Sequence, residues 1–199
     1  MNKRIKLSGI LIAAGLSSRM GKPKALLPYQ EKTFLEAILD KLLPVCDQVL
    51  VVLGCEAEQI KKTIEFKIKS DKLHFIYNPQ YQSGMLTSLQ AGISKVTNSP
   101  WILYHFVDQP GVPATFYSDF ITALDNNYEW IQPRFRLKNG HPILINQSLF
   151  ESIIQLSPNS SLREISLNPD IKKRYWDCTY PEIFQDIDDP EDYQKLIMI

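Results

Sequence analysis

Apolar and polar positions change their period along this chain in a regular way. Leu7 to Ala13 is a near-continuous apolar run, which predicts a buried strand, and it breaks at Gly15 into a loop reaching to about residue 31. Phe34, Leu35, Ile38, Leu39, Leu42 and Leu43 then recur at helical spacing up to Pro44. Thr33 with Glu36 three residues on forms a capping box that starts this helix. Val49 to Leu53 is a second buried strand, ended by Gly54, and the Lys-rich stretch 56–69 reads as a surface helix. Leu73 to Tyr77 predicts a third strand, Met85 to Ile93 a helix, and Trp101 to Val107 a fourth strand. Thr115 to Leu124 and Leu149 to Leu156 read as helices. Residues 130–133, 143–145 and 171–178 read as strands, Ser157 to Ile165 as a loop entering a short helix, and Asp189 or Pro190 as the start of a last helix. Strand–helix alternation from residue 7 to about 127 argues for an α/β fold with a mostly parallel central sheet, which the later elements extend.

Composition changes that picture little. The 199 residues are 44% hydrophobic and 22% charged, ordinary values for a globular domain. No linker, repeat or low-complexity segment divides them, so we expect one domain over 1–199. Lys plus Arg equals Asp plus Glu, so no global field recruits nucleic acid or an anionic membrane. Cys46, Cys55 and Cys178 are widely spaced, without the pairing of a zinc site or a disulfide framework, and read as isolated thiols. The start of the chain is too polar for a signal h-region, and no apolar run approaches a membrane span, so a cytoplasmic enzyme is the expectation.

The chemistry gathers at predicted strand ends. The loop after the first strand is made of small residues and carries Arg19, Lys22 and Lys24. Small residues let backbone N–H groups approach an anion, and nearby cations suit a triphosphate. It is not a Walker A loop: five residues separate Gly15 from Gly21, and Pro23 follows Lys22. Asp108 follows a wholly apolar strand, where ligands sit in open α/β sheets. It is placed either to hold a hard cation such as Mg2+ or to cap the turn before Pro113. The helix at 85–93 has a small, polar N-terminus, suited to an anion or ribose, though spacing alone favours a capped scaffold helix with Leu86, Leu89 and Ile93 in the core. Asp186 to Asp192 contains several acids that the N-terminal dipole of the last helix favours in any case. His74 and His105 lie within strands and read as structural, whereas His141 sits in the turn Gly140-His141-Pro142.

Residues 12–24, Ile-Ala-Ala-Gly-Leu-Ser-Ser-Arg-Met-Gly-Lys-Pro-Lys, closely resemble the signature loop of the molybdenum cofactor nucleotidyltransferases. That class has a three-layer α/β/α Rossmann-like nucleotidyltransferase fold. The Ala-Ala-Gly and Pro-Lys forms resemble the cytidylyl branch; the guanylyl branch usually has a second glycine in place of Ala14 and an Asp before the Lys. The resemblance implies a loop of Ala13, Ala14, Gly15 and Ser17 around the triphosphate, with Arg19 and Lys24 on the phosphates. It implies Ser83, Gly84 and Ser88 near base and ribose, and Mg2+ on Asp108 and Asp188. It places the nucleotide on about 1–127 and the acceptor on about 128–199, with His141 on the acceptor side. The implied reaction moves CMP from CTP to the phosphate of a molybdopterin-type cofactor, with a molybdoenzyme as a further partner. The segment 157–165 departs from the family's acidic, Gly-rich pattern; only Arg163 is comparable. A sugar- or polyol-phosphate acceptor is therefore the rival within the fold, and a non-catalytic cofactor carrier the rival outside it.

Overall fold

The computed structural model describes residues 4–198. Its strands are β1 (Leu7–Ala13), β2 (Pro28–Tyr29), β3 (Lys32–Thr33), β4 (Gln48–Leu53), β5 (Leu73–Tyr77), β6 (Trp101–Phe106), β7 (Trp130–Phe135), β8 (Lys138–Asn139), β9 (Ile143–Asn146) and β10 (Lys173–Asp177). Its α-helices are α1 (Phe34–Leu42), α2 (Ala57–Lys67), α3 (Met85–Ile93), α4 (Ala114–Phe120), α5 (Phe150–Gln155), α6 (Arg163–Leu167) and α7 (Pro190–Ile197).

Every residue of β1 is buried, as a strand covered on both faces requires. Its side chains divide with period two. Leu7, Leu11 and Ala13 join the core beneath α1, α2 and α4, with Leu196 of α7 in the same cluster. Ile10 and Ile12 join the opposite core, beneath α3, α5 and α6. The result is helix, sheet and helix in three layers. The main sheet runs β10-β7-β9-β6-β1-β4-β5, with β8 paired to β7. β4 and β6 flank β1 in parallel, and β5 pairs parallel to β4. β9 runs antiparallel to both β6 and β7, while β10 returns parallel to β7. The sheet is thus parallel from β5 through β6 and mixed beyond.

Local rules account for several element ends. Thr33 Oγ1 accepts from the Glu36 N–H, and the Glu36 carboxylate accepts from the Thr33 N–H, so the capping box forms and starts α1. Asp189 caps α7, its Oδ1 accepting from the Glu191 and Asp192 N–H groups. Residues 14–31 are less irregular than the sequence suggested. A short 3-10 turn covers Lys24–Leu26, and β2 and β3 form a small antiparallel hairpin with Gln30 in the left-handed region, φ 54°. The hairpin strands are only two residues long, too short for any hydrophobic period to show.

The strand order places the site. From β1 the chain moves outward through β4 and β5, then crosses under α3 to lay β6 on the other side of β1. The direction of winding therefore reverses between β1 and β6, and a crevice opens at their carboxyl ends. Gly92 lets α3 lie close over this part of the sheet: a Cβ there would stand 2.8 Å from Ile10 Cγ2.

Candidate active site

The loop leaving β1 closes on itself. Ser17 has φ 49° and Gly21 φ 64°; the Met20 N–H donates to the Ser17 carbonyl, and the Lys24 N–H donates to Ser17 Oγ at 3.0 Å. The neighbouring residues Gly15, Leu16, Ser18 and Arg19 are exposed. Left-handed residues in such a loop turn successive N–H groups toward one side, which makes a concave anion seat. The loop also needs Gly54, at the end of β4. A Cβ on Gly54 would lie 2.5 Å from Tyr81 Cβ and 2.7 Å from the Ala14 carbonyl oxygen. Only glycine lets the ends of β1 and β4 and the turn after β5 meet this closely.

A cleft of about 380 Å3 lies over this loop. Ala13, Ala14, Gly15, Ser17, Arg19, Lys24, Gly84, Ser88, Asp108 and Asp188, all singled out from sequence, line it together. Ser83 does not; it is exposed in the short turn just before Gly84. Ser88 is 1% exposed, and its Oγ accepts from Asn78 Nδ2 at 3.0 Å. Asn78 Nδ2 also donates to Thr87 Oγ1, and Asn78 Oδ1 accepts from the Gln80 N–H. Asn78 thereby ties the end of β5 to the start of α3, so the polar start of α3 is both scaffold and cleft wall.

At the floor of the cleft, Lys24 Nζ donates to Asp188 Oδ1 at 2.7 Å and stands 3.7 Å from Asp108 Oδ2. Two carboxylates from distant segments thus face one cation. Asp108 Oδ1 is buried with no hydrogen-bond partner among the described residues. Burial pushes the Asp108 pKa up to about 6; Lys24 opposes the rise, while Asp186 and Asp188 add to it. An all-oxygen pair that already draws in an ammonium, with one oxygen unpaired, fits a hard divalent cation.

The two carboxylate segments are tied together. The Ile187 N–H donates to the Asp108 carbonyl at 2.9 Å. Gln109, 1% exposed, donates from Nε2 to Asp186 Oδ1 at 2.7 Å and to the Ile183 carbonyl at 3.3 Å. The Tyr193 hydroxyl of α7 donates to the Pro28 carbonyl. The last quarter of the chain therefore returns to the cleft. Gln109 and Asp186 were not singled out from sequence. A lone amide just after an apolar strand was the available signal for the first.

A second cavity, of about 460 Å3, adjoins the cleft and shares Met85 and Phe106 with it. Tyr104, Trp130, Gln132, His141 and Arg163 line it. The His141 ring lies 4.8 Å from that of Phe106, and its Nδ1 is buried without a partner among the described residues. Burial lowers its pKa to about 4, so the imidazole is neutral near pH 7. His105 sits elsewhere, with Nε2 2.7 Å from the buried Tyr117 hydroxyl, as a structural residue does. Cys46, Cys55 and Cys178 are free, and burial raises the Cys46 thiol to about 12. No described helix is long and apolar enough to cross a membrane.

A doubly wound α/β sheet with an anion-seating loop after β1, and with paired carboxylates facing a lysine across the switch point, defines a nucleotide-binding transferase class of site. Residues 9–171 match the model of the MobA-like NTP transferase domain, and the chain belongs to that family. It is 30% identical to the molybdenum cofactor cytidylyltransferase of Escherichia coli K12 over 184 residues, 92% of each chain. It is 26% identical to the nicotine blue oxidoreductase of Paenarthrobacter nicotinovorans over 204 residues, 96% of each. The crystal structure of Rv0371c from Mycobacterium tuberculosis in complex with manganese superposes with a TM-score of 0.74 at 22% identity, covering 97% of this chain and 98% of that one.

Proposed function

We propose that this protein transfers CMP from CTP to the phosphate of a molybdopterin-type molybdenum cofactor, releasing pyrophosphate. The observation that carries the reading is the convergence of Lys24, Asp108 and Asp188 at the floor of the β1–β6 cleft. The cytidylyltransferase relative and the Ala14 and Pro23-Lys24 forms of the loop support CTP over GTP. One full-length relative bears an oxidoreductase name, so fold alone does not set the chemistry, and the reading rests on the site.

The residues divide the work as follows. The N–H groups of the 15–19 loop, with Arg19, hold the triphosphate. Lys24, released from Asp188 by the incoming phosphates, follows the charge onto the leaving pyrophosphate. Asp108 and Asp188 would hold a divalent cation, magnesium in our reading, as manganese accompanies the mycobacterial structure. Bound there, the cation would neutralise phosphate oxygens and stabilise the crowded phosphorus. An acceptor phosphate is already ionised near pH 7, so no strong general base is needed; positioning and charge neutralisation supply the rate. The neighbouring cavity, with Tyr104, Phe106, Trp130 and neutral His141, seats the flat acceptor, and Arg163 is its cation. Gly84 and Ser88 lie toward base and ribose.

A thermal-shift screen of the four ribonucleoside triphosphates with magnesium or manganese tests the nucleotide half. CTP with metal should give the largest stabilisation. A larger shift with GTP would overturn the cytidylyl reading.

A further inference from the structure

Lys41 lies in the last turn of α1, outside the cleft, and half-buried. Its Nζ donates to the Pro110 carbonyl at 2.6 Å and to the Val112 carbonyl at 2.8 Å. No carboxylate lies within ion-pair distance among the described residues; Asp40, on its own helix, is the acid that acts on it at longer range. Burial lowers its pKa to about 8, so the ammonium is mostly charged at pH 7. A half-buried ammonium held only by carbonyls is costly to keep. Most lysines on such a helix face solvent.

What it holds is the turn that follows Asp108. Residues 107–113 run from the end of β6 to the start of α4, and the Pro110 and Val112 carbonyls are the two acceptors of the Lys41 ammonium. The other side of this turn is pinned by the Ile187 N–H on the Asp108 carbonyl and by Gln109 on Asp186. Gly111 packs against Gln185, where a Cβ would stand 2.4 Å from Gln185 Oε1. The turn is therefore clamped between α1 on one side and the Asp186–Asp188 segment on the other. Of these side-chain clamps, Lys41 is the cation.

We propose that Lys41 is a positioning residue: through the Pro110 and Val112 carbonyls it fixes the Asp108 turn against the Asp188 segment, and so sets the spacing of the two carboxylates. The consequence for catalysis rests on the role of Asp108 given above. The structural claim does not, because the turn's own dynamics report it.

The test compares wild-type protein with Lys41→Met, which keeps the apolar stem and removes the donor, and Lys41→Arg, which restores a donor able to reach two carbonyls. Hydrogen exchange is followed in peptides spanning 106–113 and 183–189, and in β4–β5 as a remote control. Pyrophosphate release gives kcat, KM for CTP and the metal concentration for half-maximal rate. Lys41→Met should speed exchange at least tenfold in both site peptides and leave β4–β5 within twofold. It should lower kcat at least tenfold, raise the metal requirement at least fivefold, and leave KM for CTP within threefold. Lys41→Arg should restore most of each. Unchanged exchange in 106–113 and 183–189 overturns the proposal, as does a Lys41→Met protein with a lower Tm but wild-type kcat and metal requirement. If Lys41→Met fails to fold, Lys41→Gln is read by the same criteria. Failure of the transferase reading itself would show as no turnover in wild type, and the exchange data would still decide the role of Lys41.

Discussion

Asp108 is where stability and the proposed function oppose each other most clearly. Its carboxyl is pushed up to about 6 by burial, against an ordinary value of 3.8. A group whose pKa rises on folding stabilises the fold while protonated, and loses that contribution as pH rises through the folded value. Without metal or substrate, the ionised carboxylate is therefore a liability above pH 6. Asp108→Asn should stabilise the metal-free protein at pH 8 by about 1–3 kcal/mol, from a shift worth about 1.4 kcal/mol per unit. The difference should narrow as pH falls from 7 toward 4. Denaturant unfolding in a chelating buffer across that range measures it; a destabilised variant at pH 8 would contradict the assignment. His141 offers a second residue-scale expectation. With a pKa near 4 it carries no charge between pH 6 and 8, so acceptor KM should show no inflection from it there. An inflection near 6.5 that disappears in His141→Asn would show the imidazole to be ionised. Asp108 was legible in the sequence because a single acid closes an apolar strand. The partner of Lys24 was not legible from spacing, since 164 residues separate it from Asp188. Only resemblance brought the two into one site.

Among the elements, α1 and the β4 end carry the plainest consequences. The capping box is a local device, and it was readable because Thr33 and Glu36 are three residues apart. Glu36 also accepts from Lys67 Nζ at 3.0 Å, a contact between α1 and α2 that no local pattern reveals. Thr33→Ala should cost about 1 kcal/mol in denaturant unfolding, the usual worth of an N-cap. Gly54 is a different matter. Its close approach to Tyr81 and Ala14 joins the ends of β1 and β4 to the turn after β5, and a Cβ there must displace the loop after β1 or Tyr81. Gly54→Ala should destabilise by about 1–3 kcal/mol, as overpacking does, and raise KM for the nucleotide more than kcat changes. Steady-state kinetics with stability measured on the same samples separates the two effects. The parallel order of β1, β4 and β5 followed from strand–helix alternation. The antiparallel insertion of β9 between β6 and β7 did not, because short strands joined by turns fit either direction.

For the whole molecule, the winding reversal between β1 and β6 does what no single motif can. It brings the loop at 14–24, the polar start of α3, the Asp108 turn and the Asp186–Asp189 segment to one crevice. The last of these comes from near the other end of the chain, carried back by α7, whose Leu196 enters the same core as α1. Sequence motifs marked each wall of this crevice, while the adjoining aromatic cavity was marked only by His141 and Arg163. Tyr104, Phe106 and Trp130 read as ordinary strand residues, and only the sheet's register shows that they line one space. The central claim is that this crevice joins a nucleotide to a phosphate acceptor. The most direct test is pyrophosphate release by the wild-type protein and Asp108→Asn, with CTP or GTP, a divalent metal, and molybdopterin-type cofactor or sugar phosphates as acceptor. The account predicts release that depends on both CTP and the molybdopterin-type acceptor, falling about 10²–10³-fold in Asp108→Asn. Release from no nucleotide with any acceptor, or an undiminished rate in Asp108→Asn, would contradict it.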